Sequence, residues 1–297
     1  PQEVSLTALN DGDDMLDATK WGDKIPSEYE APFEFKTLAG GYGYVRIFAI
    51  SPTLMMPFPA QVFSTFFGKF VKNHAPGVIV DVRGNSGGVD ELAPKFVGFF
   101  FKEITFYQDV AVHNPEPDTF DIDGQYRLLV SPEEPQYDGP VVVLVDEYTN
   151  SAGEGIPMIL SQLPNVRIVG MHSTHGSFGK TGGDIVMPCG VEGYALSYPV
   201  GRSLDVNGDI QVEGRKDGTG GVPLDVRIPM TEETVRAIVE EKRDVALEKA
   251  FEVLDDIGAY PDLTPAPEAA PPAAPAAEAV PPAAPAAETP AAETPSS

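Results

Sequence analysis

Two stretches constrain this chain more than any others: GVIVDV at residues 77–82 and VVVLVD at residues 141–146. An apolar run that never alternates has no polar side to offer to water, so each predicts a strand buried on both faces. Strands of that kind need helices above and below them. The first has one just upstream, where Val62, Phe63, Phe66, Phe67, Phe70 and Val71 recur at three- and four-residue steps between Pro59 and Val71, the stripe of an amphipathic helix. A second helix is predicted over Val89–Phe101 with a proline inside it, a third after Ser151 that Pro157 is expected to shorten or kink, and a final helix or pair from Thr231 to about Leu254. Further strands are predicted at Phe33–Phe35, Tyr42–Ile50 and Val166–Gly170. A polar excursion from Asp109 to Asp138 and a Gly/Pro-rich region of short hairpins from Gly176 to Pro229 separate these elements. Alternating strands and helices of this kind make an α/β layered core.

The ends of the chain read differently. Residues 1–32 are polar and loop-like apart from Val4–Leu9, and residues 259–297 become almost entirely Ala, Pro, Glu and Thr, with PPAAPAAE occurring twice. Such a composition cannot bury enough apolar surface to offset the entropy of ordering, so the tail is expected to be an extended, solvated spacer. The expected organisation is an N-terminal segment (1–32), a core (33–258) and a tail (259–297). Because the chain opens on Pro1 rather than Met, an upstream portion is expected to be missing.

The formal net charge is −25, and only four of the acidic residues, Glu268, Glu278, Glu288 and Glu293, lie in the repetitive stretch from Thr264 onward. A core this acidic lacks the basic footprint that nucleic acid or anionic lipid requires. No apolar run reaches the length of a membrane span. Cys189 is the single cysteine, which rules out an internal disulfide and a cysteine-rich metal site. No metal or organic cofactor is expected, and oligomeric state leaves no signature.

Two serines compete for the chemistry. GNSGG at residues 84–88 satisfies G-x-S-x-G, the strained strand-to-helix turn that presents a nucleophile in α/β-hydrolases. Under that reading Ser86, Asp146 and His172 or His175 form the triad of an esterase. The other candidate is Ser151 in DEYTNSAGEG, a few residues beyond the second buried strand and at the start of a helical segment. Unpaired N–H groups at a helix N-terminus suit the oxyanion of an acyl-transfer transition state, while Ser151 or Asn150 could equally serve as a simple N-cap.

Taken together, VIVDVRGNSGG, VVVLVDEYTNSAGEG, VRIVGMHSTHGSFGK and VEGRKDGTGGVPLDVRIP resemble, in consistent order over residues 33–254, the C-terminal processing (tail-specific) serine peptidases and their tricorn-core relatives. The resemblance implies a twisted sheet flanked by helices, of the Clp-protease and crotonase-like kind, with a β-rich N-terminal piece. It implies a serine peptidase acting on polypeptides, with Ser151 of S-A-x-E as nucleophile. The N–H of Ala152 and the backbone of Gly87 or Gly88 are the implied oxyanion donors. For the base it leaves three candidates: Lys180 in SFGKT, Glu213 in VEGRKDG, and a histidine, locally His175 or His172. A non-catalytic peptide-binding protein on the same fold is the alternative. The resemblance and the Ala-Pro spacer together point to export from the cytoplasm.

Overall fold

The computed structural model describes residues 32–52, 57–181, 187–188, 195–196, 199–214 and 220–259. The expected N-terminal segment and tail fall outside these, apart from Pro32 and Ala259. In chain order the strands are β1 (Phe33–Thr37), β2 (Gly43–Ile47), β3 (Val78–Asp81), β4 (Thr105–Asn114), β5 (Thr119–Val130) and β6 (Val141–Leu144). They continue with β7 (Val166–Gly170), β8 (Gly179–Thr181), β9 (Met187–Pro188), β10 (Ala195–Leu196), β11 (Pro199–Leu204) and β12 (Val226–Arg227). The helices are α1 (Pro59–Lys72), α2 (Ala93–Val97), α3 (Ala152–Leu160), α4 (Glu232–Val239) and α5 (Val245–Ala259).

The central sheet runs β1-β2-β3-β6-β7-β12. Strands β2 through β12 are parallel, and β1 closes the edge as the antiparallel arm of a hairpin with β2. The two apolar runs are its central pair, β3 and β6, and they are buried on both faces. Val78, Val80, Val141 and Val143 point into a core with Phe63 and Phe67 of α1, Phe96 of α2 and Ile156 and Ile159 of α3. Ile79, Val142 and Leu144 point the other way, onto Ala246, Ala250, Val253 and Leu254 of α5. Each such side chain contributes about 1.5–3 kcal/mol by leaving water. Aromatic packing joins α1 to the 96–100 segment, with Phe63 stacked on Phe96 at 4.8 Å and Phe67 tilted against Phe99 at 4.9 Å.

Three local expectations need correction. The predicted helix over Val89–Phe101 is instead a 3₁₀ turn at Asp90–Leu92, the short α2, and a second 3₁₀ turn at Gly98–Phe100. Pro94 sits in the first turn of α2, where its missing N–H would have had no partner. Pro157 does not shorten α3: every residue of that helix is buried, and packing on all sides outweighs one lost hydrogen bond. The polar excursion is a long hairpin of β4 and β5, which belongs to an antiparallel sheet of order β5-β4-β11-β8. Its outer strand β5 is mostly exposed, although Phe120, Ile122, Tyr126 and Leu128 alternate with polar residues along it, so the period-2 pattern of a strand was present in the excursion.

An ionic cluster fastens the end of β3 to the last helix. Arg83 donates from Nε and Nη2 to Asp81 at 3.0 and 2.6 Å, and from Nη1 and Nη2 to Asp244 at 2.9 and 2.8 Å. The Tyr44 hydroxyl donates to Asp81 at 2.8 Å. Burial alone would raise the Asp81 carboxyl, but the adjoining guanidinium outweighs it and holds the group below the ordinary carboxylate range. Arg83→Met strands a buried carboxylate without its counter-charge, so urea denaturation should show a loss of about 3–5 kcal/mol.

Candidate active site

Because β3 and β6 are parallel neighbours, their C-terminal turns emerge side by side, and backbone and side-chain bonds stitch them together. Asn150 N–H donates to the Asn85 carbonyl at 2.8 Å. The Thr149 hydroxyl reaches the Val82 carbonyl at 2.9 Å, and Gly84 N–H reaches the Asp146 carboxylate at 2.9 Å. Asn85 is fully buried, and its Nδ2 donates to the Ile47 carbonyl at 2.8 Å.

Gly87 lies directly against Ser151. A Cβ added there would stand 2.7 Å from Ser151 Cβ and 3.0 Å from Ala152 N, and its φ of +97° already disfavours any other residue. Gly88, at φ +141°, is equally obligatory because a Cβ would run into the Ile50 carbonyl. Gly87 N–H donates to Asn85 Oδ1 at 2.8 Å, which removes it from the expected pair of oxyanion donors. Ile50 N–H bonds the Gly87 carbonyl and Val89 N–H bonds the Ile50 carbonyl, so the intervening Gly88 N–H points away from that strand and stays available.

Ser151 immediately precedes α3 with φ 54° and ψ −129°, a conformation that costs a non-glycine residue about 1–3 kcal/mol. The strained strand-to-helix serine that the letters around Ser86 suggested is therefore found at Ser151. Glu154 holds it there. This carboxylate is fully buried on α3 and accepts four hydrogen bonds: Ser151 N–H at 3.1 Å, Gly176 N–H at 2.6 Å, Ser177 N–H at 2.8 Å and the Thr174 hydroxyl at 2.6 Å. Thr174 Oγ1 in turn accepts Val222 N–H at 2.7 Å, which ties in the closing GGVPLD element. Asp225 of that element accepts Ile168 N–H at 2.7 Å and so anchors β7.

Ser151, Gly88 and Lys180 line one cleft of about 250 Å³, whose walls include Val89, Asp90, Gln108, Tyr126 and Leu128. Lys180 comes from β8, which pairs with β11, and its Nζ lies 3.0 Å from the centroid of the Tyr126 ring. Burial pushes the Asp90 carboxyl up to about 6, with Glu91 adding to the rise and the Gln108 amide and Lys180 opposing it.

The other expected residues lie apart. His175 is exposed, with Nδ1 3.3 Å from the Glu147 carbonyl. His172 and Glu213 are also exposed, and none of the three lines the cleft. Ser86 is exposed and absent from the lining as well. Asp146, the acid of the esterase reading, spends its carboxylate on Gly84, Tyr148 and Thr149. Among the described residues no group of three or more potential metal ligands occurs, and no helix is long and apolar enough to cross a membrane.

Comparison with known proteins agrees with this geometry. Residues 41–227 match the sequence profile of Peptidase family S41. A putative peptidase from Parabacteroides merdae superposes with a TM-score of 0.56 at 21% identity, covering 80% of this chain and 69% of that one. An S41 protease structure from Bacteroides fragilis superposes with a TM-score of 0.53 at 16% identity, covering 79% and 60%. A nisin-resistance protein of Lactococcus lactis subsp. lactis is 29% identical over 113 residues, 34% of this chain and 34% of the relative. The match thus spans about a third of that curated relative.

Glu154→Leu removes the acceptor of four donors at once. Each orphaned buried donor costs about 1–3 kcal/mol, so chemical denaturation should register a loss of at least about 3 kcal/mol. Hydrogen exchange at residues 174–177 should accelerate with it.

Proposed function

The chain belongs to peptidase family S41, and on that premise we propose that it is a serine-type endopeptidase that cleaves polypeptides through an acyl-enzyme on Ser151. The observation that carries this reading is a single one: a strained serine at a helix start shares its cleft with an available backbone N–H, at Gly88, and with a lysine.

In this reading Ser151 Oγ attacks the scissile carbonyl, and Lys180, entering as the neutral amine, takes the hydroxyl proton. The developing oxyanion is received by the N–H of Gly88 and that of Ala152, the first of α3, which helix geometry leaves without an intrahelical acceptor. Lys180 then returns the proton to the leaving amine. A water, deprotonated by the same amine, attacks the acyl carbonyl; the ester C–O bond breaks and Lys180 passes the proton to Ser151 Oγ, which restores the hydroxyl. Asn85 and Glu154 act at one remove: the first fixes the Gly87–Gly88 turn, and the second fixes the Ser151 backbone. Lys180 is assigned the base because it alone of the three candidates lines the cleft with Ser151.

Cleavage near polypeptide C-termini and a location outside the cytoplasm complete the proposal. They are supported by the resemblance of the S-A-x-E and SFGKT segments to C-terminal processing peptidases and by the Ala/Pro/Glu spacer composition. Cell fractionation checks the location, and mass spectrometry of the products checks the cut site.

Ser151→Ala should lower kcat/KM on an unfolded polypeptide by at least about 10³-fold, and Lys180→Met by about 10²–10⁴-fold. His175→Ala and Glu213→Ala should stay within about threefold of the parent, since exposed groups outside the cleft take no part in the proton transfer. Turnover unchanged in Ser151→Ala would overturn the assignment.

A further inference from the structure

Asp90 lines the cleft, yet the proposed chemistry leaves it without a task. The only hydrogen-bond partner of its carboxylate among the described residues is Gln108 Nε2, at a long 3.4 Å, and no described cation lies within salt-bridge distance of it. Lys180 leans instead on the Tyr126 ring. A fully buried carboxylate finds a counter-charge or several donors, as Asp81 and Glu154 do here; Asp90 is half-buried, with one side open to the cleft. Burial raises the Asp90 carboxyl to about 6, so at neutral pH it is mostly ionised and under-compensated.

The surroundings have the form of a receptor for a long cation. Val89, Val110 and Leu128 supply apolar wall for an alkyl stem, and Asp90 with its neighbour Glu91 supplies negative charge on the same wall. Asp90 lies two residues beyond Gly88, so a carbonyl seated on the Gly88 N–H has this carboxylate close at hand. We propose that Asp90 is a specificity-determining residue that selects substrates with lysine or arginine at the position contributing the attacked carbonyl.

The proposal rests on the acyl-enzyme reading, and the two reinforce each other. Lys180 must be neutral when it takes the Ser151 proton, so its own charge is missing from the cleft at that moment. A substrate cation beside Asp90 supplies the positive charge that is then missing. The charge of the cleft is thus set for the substrate rather than against it.

The test uses the intact chain and matched peptides that differ only at that position, carrying Lys, Arg, norleucine or Glu, together with fluorophosphonate labelling of Ser151. The expected wild-type result is kcat/KM at least tenfold higher for Lys and Arg than for norleucine, with Glu poorest. In Asp90→Asn the Lys-to-norleucine ratio should fall at least fivefold, and Asp90→Lys should favour Glu over Lys. Labelling at Ser151 without a wild-type preference for cations overturns the subsite and leaves the peptidase reading standing. An Asp90→Asn variant that slows all four peptides equally also overturns it, because a residue that only positions Lys180 cannot change the ratio. Absence of both labelling and hydrolysis in the wild type overturns the parent reading instead. The wild-type series does not depend on any variant folding.

Discussion

The site exists because two adjacent parallel strands must end at the same edge of their sheet. β3 and β6 are neighbours, each too apolar to lie anywhere but the centre, and their following turns have no choice but to meet. The bonds from Asn150 to Asn85, from Thr149 to Val82 and from Gly84 to Asp146 turn that proximity into a fixed geometry. One turn brings backbone N–H groups close, which only glycine permits, and the other brings a hydroxyl at the head of a helix. This is the rule for open α/β sheets, whose sites gather beyond the carboxyl ends of the strands.

Around that junction the protein handles two buried carboxylates and one half-buried one in three ways. Asp81 is neutralised by a guanidinium. Glu154 carries no counter-ion but is surrounded by donors. Asp90 has little of either. The first two fates are structural and explain rigidity: a fully satisfied carboxylate specifies one arrangement of its neighbours. The third leaves an electrostatic demand facing the cleft, where something from outside can meet it.

Much of this was legible in the letters, and the gaps have physical reasons. The central strands announced themselves by their unbroken apolar runs, and α1 by its phenylalanine stripe. Ser86 and Ser151 both follow a buried strand, and it was the resemblance carried by S-A-x-E that favoured Ser151; the strained backbone angle and the shared cleft add what letters do not record. The weight of Glu154 was hidden because three of its four partners lie 20 to 23 residues further on, in a loop whose path the sequence does not betray. Gly87 looked as eligible as Gly88 until the Asn85 side chain was seen to occupy its N–H. The β4–β5 hairpin escaped although Phe120, Ile122, Tyr126 and Leu128 alternate with polar neighbours along β5, because a mostly exposed strand rich in acidic and amide residues does not stand out as a buried apolar run.

The Arg83 clamp adds an element of timing. Arg83 precedes the glycine turn, but one of its two carboxylate partners is Asp244, which also caps α5 through Leu247 N–H at 2.9 Å. A growing chain makes the turn, the serine and the lysine long before it makes residue 244. Until that residue leaves the ribosome, the Arg83 guanidinium at the root of the site lacks one of its two carboxylates. Synthesis of the last helical region and firmness of the reactive turn are thereby linked.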